Sequence, residues 1–369
     1  MGGAVSGEVP DGSGHAAAGR PAPEGGGSGE AGPWPRPARP AKLADIAREA
    51  GVHVTTASRA LRGSEGVGPE TAARVREVAQ RLGYLPHPAA ASLRTGRSKL
   101  LGVVVPRLTD LVLATIYEGI EQGAASAGYQ AVVANSGDDR EAQRLRVATL
   151  LANRVDGLIL GDARTDSPLV HELRRRGTKI VLTSRRLPGV VSVTCDDVLG
   201  GRMAAEHLVG LGHRDVGVIA GEPYASTGIE RTRGFVTALA DAGLPVPDAN
   251  VLRSGFDVRG GREAAEELLA RTPRPTALFA VNDFAAIGAM GAIRDAGLRV
   301  GDDVAVVGFN DVPLAAELPV ALTTVRSPMR EMGRQAALAL VALIAGEHVE
   351  SLRMRPELMA RASTLGTRG

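Results

Sequence analysis

Residues 43–62 read LADIAREAGVHVTTASRALR. Leu43, Ile46, Ala47 and Ala50 recur at helical spacing and form the apolar face of a short helix. Gly51 breaks the period, as a tight turn between two helices requires, and Val52, Ala57, Ala60 and Leu61 restart it on a second helix. The small residues Ala47, Gly51 and Ala57 let the two helices cross closely, which is the geometry of a helix-turn-helix. Thr55, Thr56, Ser58 and Arg59 fall on the outward face of the second helix, where such side chains can bond base edges and phosphates. Alone, the pair leaves open a helical hairpin inside a core, so its surroundings bear on the choice.

Those surroundings are basic. Lys42 to Lys99 holds ten Lys and Arg against five Asp and Glu, in a chain whose net charge is only +2. A basic block thus precedes a mildly acidic body, the asymmetry of a nucleic-acid module joined to something else. At 369 residues there is room for more than one domain, and 44% hydrophobic content with 3% aromatics means a core of Ala, Val, Leu and Ile. The single cysteine excludes an internal disulfide and suits a reducing cytoplasm, where a nucleoid-associated protein is expected. No Cys/His cluster has zinc spacing, so neither a metal nor a cofactor is expected. No apolar run approaches the ~18 residues that would mark a bilayer span, which removes a membrane from the expected partners. Residues 1–40, rich in Gly, Pro, Ala and Ser, read as a disordered extension and not as a secretory signal.

Beyond the second helix, residues 63–68 are a Gly-rich loop lacking the Lys-Ser/Thr of a phosphate-binding loop. Pro69 starts a third helix through Leu82, with Val75, Val78, Ala79 and Leu82 as its buried stripe. Tyr84-Leu-Pro-His-Pro is a rigid extended segment, and residues 89–94, AAASLR, are helix-capable but too short to be stable alone. From Leu100 onward short apolar strands alternate with amphipathic helices. Strands are read at 101–105, 131–134, 157–160, 180–182 and 190–193, then at 215–220, 251–254, 277–280 and 304–308, with helices between them. Such alternation predicts an α/β fold with right-handed crossovers and doubly wound parallel sheets covered on both faces. Two sets predict two lobes, with a cleft at the carboxyl ends of their strands.

On these motifs the chain resembles the LacI/GalR family of transcriptional repressors from about Lys42 to Thr364. The resemblance rests on a combination: LADIAREAGVHVTTASRAL, RLGYLPHPAAASLR, LGVVVP, NRVDGLIL, HLVGLGHRDVGVIAG, ERTRGF, PTALFAVNDFAAIGA, GLRVGDDVAVVGFND and LTTVRSP. It implies a three-helix helix-turn-helix headpiece at 41–86, a hinge helix and linker at 87–98, and a two-lobed effector domain of the periplasmic-binding-protein type at 99–364. The N-lobe would take about 99–194 and 328–350, the C-lobe about 196–326 and 351–364. Val54, Thr55 and Arg59 match base-reading positions, and Thr56 and Ser58 suit phosphates. The hinge segment, with Ala90 and Leu93, would fold on DNA and wedge Leu93 into the minor groove. Effector positions fall on Arg231, Phe256, Asn282, Asp283 and Asn310, with Ser184, Cys195 and Ser327 lining the cleft or its hinges.

The sequence also departs from the family. His53 stands where a capping Ser or Thr is usual, so the second helix is capped more weakly or by other means. Arg62 and His87 replace common Asn residues, and Asn310 and Ser184 replace acids found in many relatives. The loop at Arg107–Leu113 lacks an aromatic pair, which leaves purine stacking fewer partners. The resemblance implies a DNA-binding transcriptional repressor and not an enzyme. Its partners would be double-stranded, pseudo-palindromic operator DNA, a second copy in a homodimer, and a small-molecule effector, a neutral sugar or polyol. With Gly369 soon after the last strand and no heptad tail, a dimer is expected over a tetramer. An activator or co-repressor-dependent regulator with a nucleoside-like ligand is the alternative. A solute-binding protein would need a signal peptide and no headpiece.

Overall fold

The computed structural model describes residues 41–64, 66–84 and 97–366. The extension at 1–40 and the hinge segment carrying Ala90 and Leu93 lie outside them. The chain divides into two compact units after His87.

The first unit contains α1 (Leu43–Glu49), α2 (Val54–Arg62) and α3 (Pro69–Arg81). Asp45 starts α1 by reaching back to the Lys42 N–H at 2.9 Å. Gly51 makes the turn at φ +64°, a conformation in which a β-carbon is strained. Ile46, Ala47, Ala50, Ala57, Ala60, Val75, Val78 and Ala79 close the core, so the three apolar stripes meet. Arg74 Nε donates to the Ala50 carbonyl at 3.1 Å, tying α3 to the end of α1.

The second unit builds one plan twice. The first lobe runs β1 (Leu100–Val105), α4 (Leu111–Ser126), β2 (Gln130–Asn135), α5 (Arg140–Ala152), β3 (Gly157–Leu160), α6 (Pro168–Arg175), β4 (Ile180–Thr183) and β5 (Ser192–Cys195). The second runs α7 (Asp197–Gly210), β6 (Val216–Ala220), α8 (Ser226–Asp241), β7 (Val251–Arg253), α9 (Val258–Leu269) and β8 (Ala277–Ala280). It continues through α10 (Asp283–Asp295), β9 (Ala305–Asn310), the short α11 (Leu314–Glu317) and β10 (Thr323–Arg326). The chain then returns. Helix α12 (Met329–Ala345) packs on α4, β11 (Leu352–Met354) joins the first sheet, and β12 (Glu357–Met359) and α13 (Ala362–Leu365) join the second lobe.

The first sheet has the order β2-β1-β3-β4-β5-β11 with every pair parallel. The second has the order β7-β6-β8-β9-β10-β12, with only β12 antiparallel. In each, the winding reverses beside the first strand, between β1 and β3 and between β6 and β8. The chain therefore opens a crevice at the carboxyl ends of those strands. Three segments cross between lobes, at Cys195–Asp197, Arg326–Met329 and Met354–Glu357.

Two expectations move. The strand read at 190–193 lies at Ser192–Cys195, because Val190 closes a turn by donating its N–H to the Leu187 carbonyl at 3.3 Å. The segment 351–364, assigned whole to the C-lobe, is divided. Leu352 pairs with Val193 in the first sheet, and the chain re-enters the second lobe only after Met354. No helix among the described residues is long and apolar enough to cross a membrane.

With so few aromatics, the helix layers gain contact area by close approach. Three helix pairs touch backbone to backbone at reciprocal glycines. A β-carbon at Gly333 would stand 1.9 Å from the Ile116 carbonyl oxygen, and one at Gly119 2.0 Å from that of Arg330. Gly201 and Gly234 do the same between α7 and α8, as do Gly261 and Gly288 between α9 and α10. Gly333→Ala is expected to destabilise by about 1–3 kcal/mol through overpacking, despite the higher helix propensity of Ala. Gly210→Ala, in the same secondary structure but with nothing within 4 Å, should be neutral or stabilising. Urea unfolding of the two variants compares them directly.

Candidate functional site

The crevice is a cleft of about 840 Å³. Its walls are the strand ends that the topology brings together: Pro106 and Gly161 just past β1 and β3, and Glu222 and Asn282 two residues past β6 and β8. Its size falls within the ~300–1,000 Å³ of small-molecule pockets.

Arg231, on α8, is its best-anchored polar group and is only 5% exposed. Its Nε donates to Asp197 Oδ1 at 2.7 Å, its Nη1 donates to the Val281 carbonyl at 2.8 Å, and its guanidinium lies 3.8 Å from the centre of the Phe309 ring. Asp197 is the first residue of α7. The pair therefore lies within the second lobe, beside the first crossover, and does not bridge the lobes. Burial pushes the Asp197 carboxyl up to about 6 against the pull of Arg231, so it stays ionised at neutral pH. The cation reaching the cleft is already compensated.

Asn282 caps α10 by accepting the Ala285 N–H at 2.9 Å and donates to the Phe256 carbonyl at 3.0 Å. The Phe256 ring lies against Gly221, where a β-carbon would meet it at 2.6 Å. Asn310 lines the same space at φ +115°, and its Oδ1 is buried with no hydrogen-bond partner in the protein. Ser184 also lines the cleft, at φ +61°. The cleft lining thus brings together a compensated guanidinium, an aromatic face and two asparagine side chains, the mixture of apolar wall and few polar groups that holds a small ligand.

Three expected positions are absent from the cleft lining, Asp283 in the lobe interior and Cys195 and Ser327 at the hinges. Asp283 is fully buried outside the cleft lining and does not cap α10 with its side chain. Thr324 Oγ1 and the Val312 N–H donate to its carboxyl, yet burial outweighs them and pushes it up to about 7. It ties α10 to the loop after β9. Cys195 and Ser327 sit at crossovers. The Cys195 thiol is pushed up to about 12 by burial and by Asp197, so it is an inert packing group. Ser327 donates to Met332 Sδ at 3.3 Å.

A group of charged residues that spacing did not single out closes one rim. Arg185 holds Asp138 with two parallel bonds of 2.7 Å, and the Tyr224 hydroxyl donates to Asp138 Oδ2 at 3.2 Å from the opposite lobe. Burial would raise the Asp138 carboxyl, but Arg185 and Tyr224 prevail and hold it below the usual carboxylate range. The Arg164 guanidinium covers the Tyr224 ring at 3.4 Å, and Thr165 N–H donates to the Tyr224 carbonyl at 2.9 Å. Next to them Arg186 pairs with Glu230, and its N–H donates to Ser226 Oγ at 2.8 Å. Phe284 adds an aromatic face to the cleft that was also not foreseen. These partners are 40 or more residues apart, beyond any local pattern; only the left-handed Asp138, inside SGDD, gave a turn signal. Among the described residues no group of His, Cys, Asp and Glu side chains could hold a metal.

In the first unit, α2 buries Ala57 and Ala60 and leaves Val54, Thr55 and Arg59 exposed, with Thr56 and Ser58 half-buried. His53 does the capping: its Nδ1 accepts from the Thr55 N–H at 3.3 Å. That replaces the hydroxyl cap whose loss the sequence pointed to.

Residues 42–87 match the family model for bacterial regulatory proteins of the lacI family, and residues 205–364 match a periplasmic-binding-protein-like domain. The chain is 31% identical over 328 residues to an HTH-type transcriptional repressor PurR of Photobacterium profundum, covering 88% of this chain and 98% of that one. Among solved structures, a Lac repressor dimer bound to operator and the anti-inducer ONPF matches with TM-score 0.81 and 28% identity, over 89% of this chain and all of that one. A transcriptional regulator CelR in complex with cellobiose matches with TM-score 0.67 and 34% identity, over 88% and 100%.

The elevated Asp283 and Asp197 carboxyls carry a consequence for stability. Each binds a proton in the folded state at a pH where the unfolded chain has already lost it. Their contribution is greatest below about pH 4 and is lost as pH rises toward about 6 for Asp197 and about 7 for Asp283. Asp283→Asn keeps an acceptor for Val312 and removes one proton from this window. The slope of stability against pH between about 4 and 7 should then flatten by up to ~1.4 kcal/mol per pH unit, read from urea unfolding across that range.

Proposed function

The chain belongs to the LacI family of bacterial transcriptional repressors, and on that premise we propose a homodimer that binds a pseudo-palindromic operator and answers to a neutral sugar-like effector in the cleft. The observation that carries the effector reading is Arg231. Its charge is already balanced by Asp197, while Asn282, Asn310 and the flat apolar face of Phe256 line the same cleft. A ligand carboxylate would find no free cation at Arg231, whereas hydroxyl groups suit the guanidinium N–H groups that Asp197 and Val281 leave over. The similarity to a cellobiose-bound regulator supports a ligand of this kind. A second reading, a nucleoside-like ligand, is favoured by the paired presence of Phe256 and Phe284 on the cleft.

The effector acts through closure. The rim formed by Arg185, Asp138 and Tyr224 holds the lobes together on one side, and three crossovers define the hinge. A ligand that fits the closed cleft better than the open one shifts that equilibrium by its differential affinity alone. In the dimer, lobe closure would reset the spacing of the two headpieces on DNA. Val54, Thr55 and Arg59 read bases in the major groove, Thr56 and Ser58 hold phosphates, and the hinge residues Ala90 and Leu93 contact the minor groove, Leu93 as the wedge. A repressor working on DNA in this way is a cytoplasmic protein.

A crossed experiment tests both halves. Thermal-shift screening of cellobiose, other neutral sugars and nucleosides is followed by operator-binding assays on Arg59→Ala and Arg231→Lys. Arg59→Ala is expected to weaken operator binding about 10-fold or more while leaving the sugar shift intact. Arg231→Lys keeps the charge beside Asp197 but loses the fork, and should weaken the sugar about 10-fold with ligand-free operator binding unchanged. Unchanged operator affinity in Arg59→Ala sinks the recognition-helix assignment, and hits restricted to nucleosides select the second reading.

A further inference from the structure

His53 does more than cap. Its Nδ1 lies 3.3 Å from the Thr55 N–H and 2.8 Å from Thr55 Oγ1, so two groups of one residue converge on a single ring nitrogen. A backbone N–H can only donate. Nδ1 must therefore present its lone pair, and the proton of the neutral imidazole sits on Nε2. The Thr55 hydroxyl faces that same lone pair, so it too donates. A hydroxyl has one proton, and once that proton is spent on Nδ1 only lone pairs remain to face outward. Thr55 is exposed at the start of α2.

We infer that His53 fixes the polarity of Thr55 and makes this position of α2 an acceptor-only reader, specific for an exocyclic amine in the major groove, cytosine N4 or adenine N6. Guanine N7 and O6 and thymine O4 are themselves acceptors and are disfavoured opposite it. A hydroxyl cap would not impose this. Serine can accept from the backbone N–H while its own proton goes to Thr55 or elsewhere, leaving the Thr55 hydroxyl free to donate or accept. Imidazole Nδ1 has no such freedom, because it cannot accept from one partner and donate to another. His53 is thus a positioning residue for specificity, and the inference rests on α2 being the recognition helix.

The test is selection of random duplex DNA by the full-length protein, with sequencing of the bound pool, for wild type, His53→Ser and Thr55→Val. The base pair whose preference vanishes in Thr55→Val marks the Thr55 position. Wild type is expected to lose ~3–10-fold in affinity, the worth of one hydrogen bond, when the amine-bearing base of that pair is replaced by its amine-free analogue, purine for adenine or 2-pyrimidinone for cytosine. His53→Ser, which keeps a cap, should retain the rest of the selected site and its melting temperature while losing that sensitivity. Wild-type binding that is unaffected by loss of the amine overturns the inference, as does an undiminished sensitivity in His53→Ser. Selection of no sequence by wild type overturns the recognition-helix reading itself, and this inference with it.

Discussion

A guanidinium buried among apolar side chains has to be compensated where it stands, and the second lobe is organised around meeting that demand for Arg231. Asp197, at the start of the helix after the first crossover, supplies the countercharge; the end of β8 supplies the Val281 carbonyl; β9 supplies the face of Phe309. Taking one member away leaves the other charge buried and unpaired, at a cost of about 3–5 kcal/mol. The same arrangement limits what Arg231 itself can offer a ligand. A cation satisfied from behind retains donors for a neutral ligand and has little to offer a second anion.

The position of Arg231 depends in turn on backbone contact. Gly201 and Gly234 let α7 and α8 touch at the Arg231 and Val198 carbonyls, which brings Asp197 and Arg231 within hydrogen-bond distance of each other. Packing that needs no side chain thus sets the geometry of the most polar contact in the lobe. The pattern recurs at α4 with α12 and at α9 with α10. A chain with 3% aromatics and 47 glycines builds its layers by approach where others use bulk. All five phenylalanines fall in the second lobe, where Phe235 and Phe279 stack at 4.3 Å, Phe256 and Phe284 line the cleft, and Phe309 lies against the guanidinium of Arg231.

The two lobes contribute unequally to the cleft. The second presents Arg231, Asn282, Asn310 and two aromatic faces, a set suited to holding a ligand. The first presents Arg107, Asp110 and Ser184 together with Asp138 and Arg185, the last two being occupied with each other and with Tyr224 across the rim. The contacts that join the lobes at the rim therefore differ from the groups the second lobe turns to the cleft.

Much of this was legible in the chain. Helical spacing around Gly51 gave the helix pair, because small residues at the crossing let two short amphipathic helices approach closely, and its basic surroundings favoured a DNA-binding headpiece over a core hairpin. Alternating apolar runs determined two parallel sheets, since strands hidden on both faces carry continuous apolar sequence. The segments that escaped, β10 to β12, are three or four residues long, and their partners lie up to about 160 residues away in sequence, so local pattern holds no trace of them. The site divided along the same line. Arg231, Asn282 and Asn310 sit on motif segments and reach the cleft, as does Phe256 outside them, while Asp283, next to Asn282 on the same motif, is a buried tie whose carboxyl is spent on Thr324 and Val312. Sequence by itself determined which elements form and which residues stand at their ends. Only the tertiary structure decided which polar groups are already satisfied and which line the cleft, because hydrogen-bond partners 26 to 86 residues apart are chosen by packing and not by spacing.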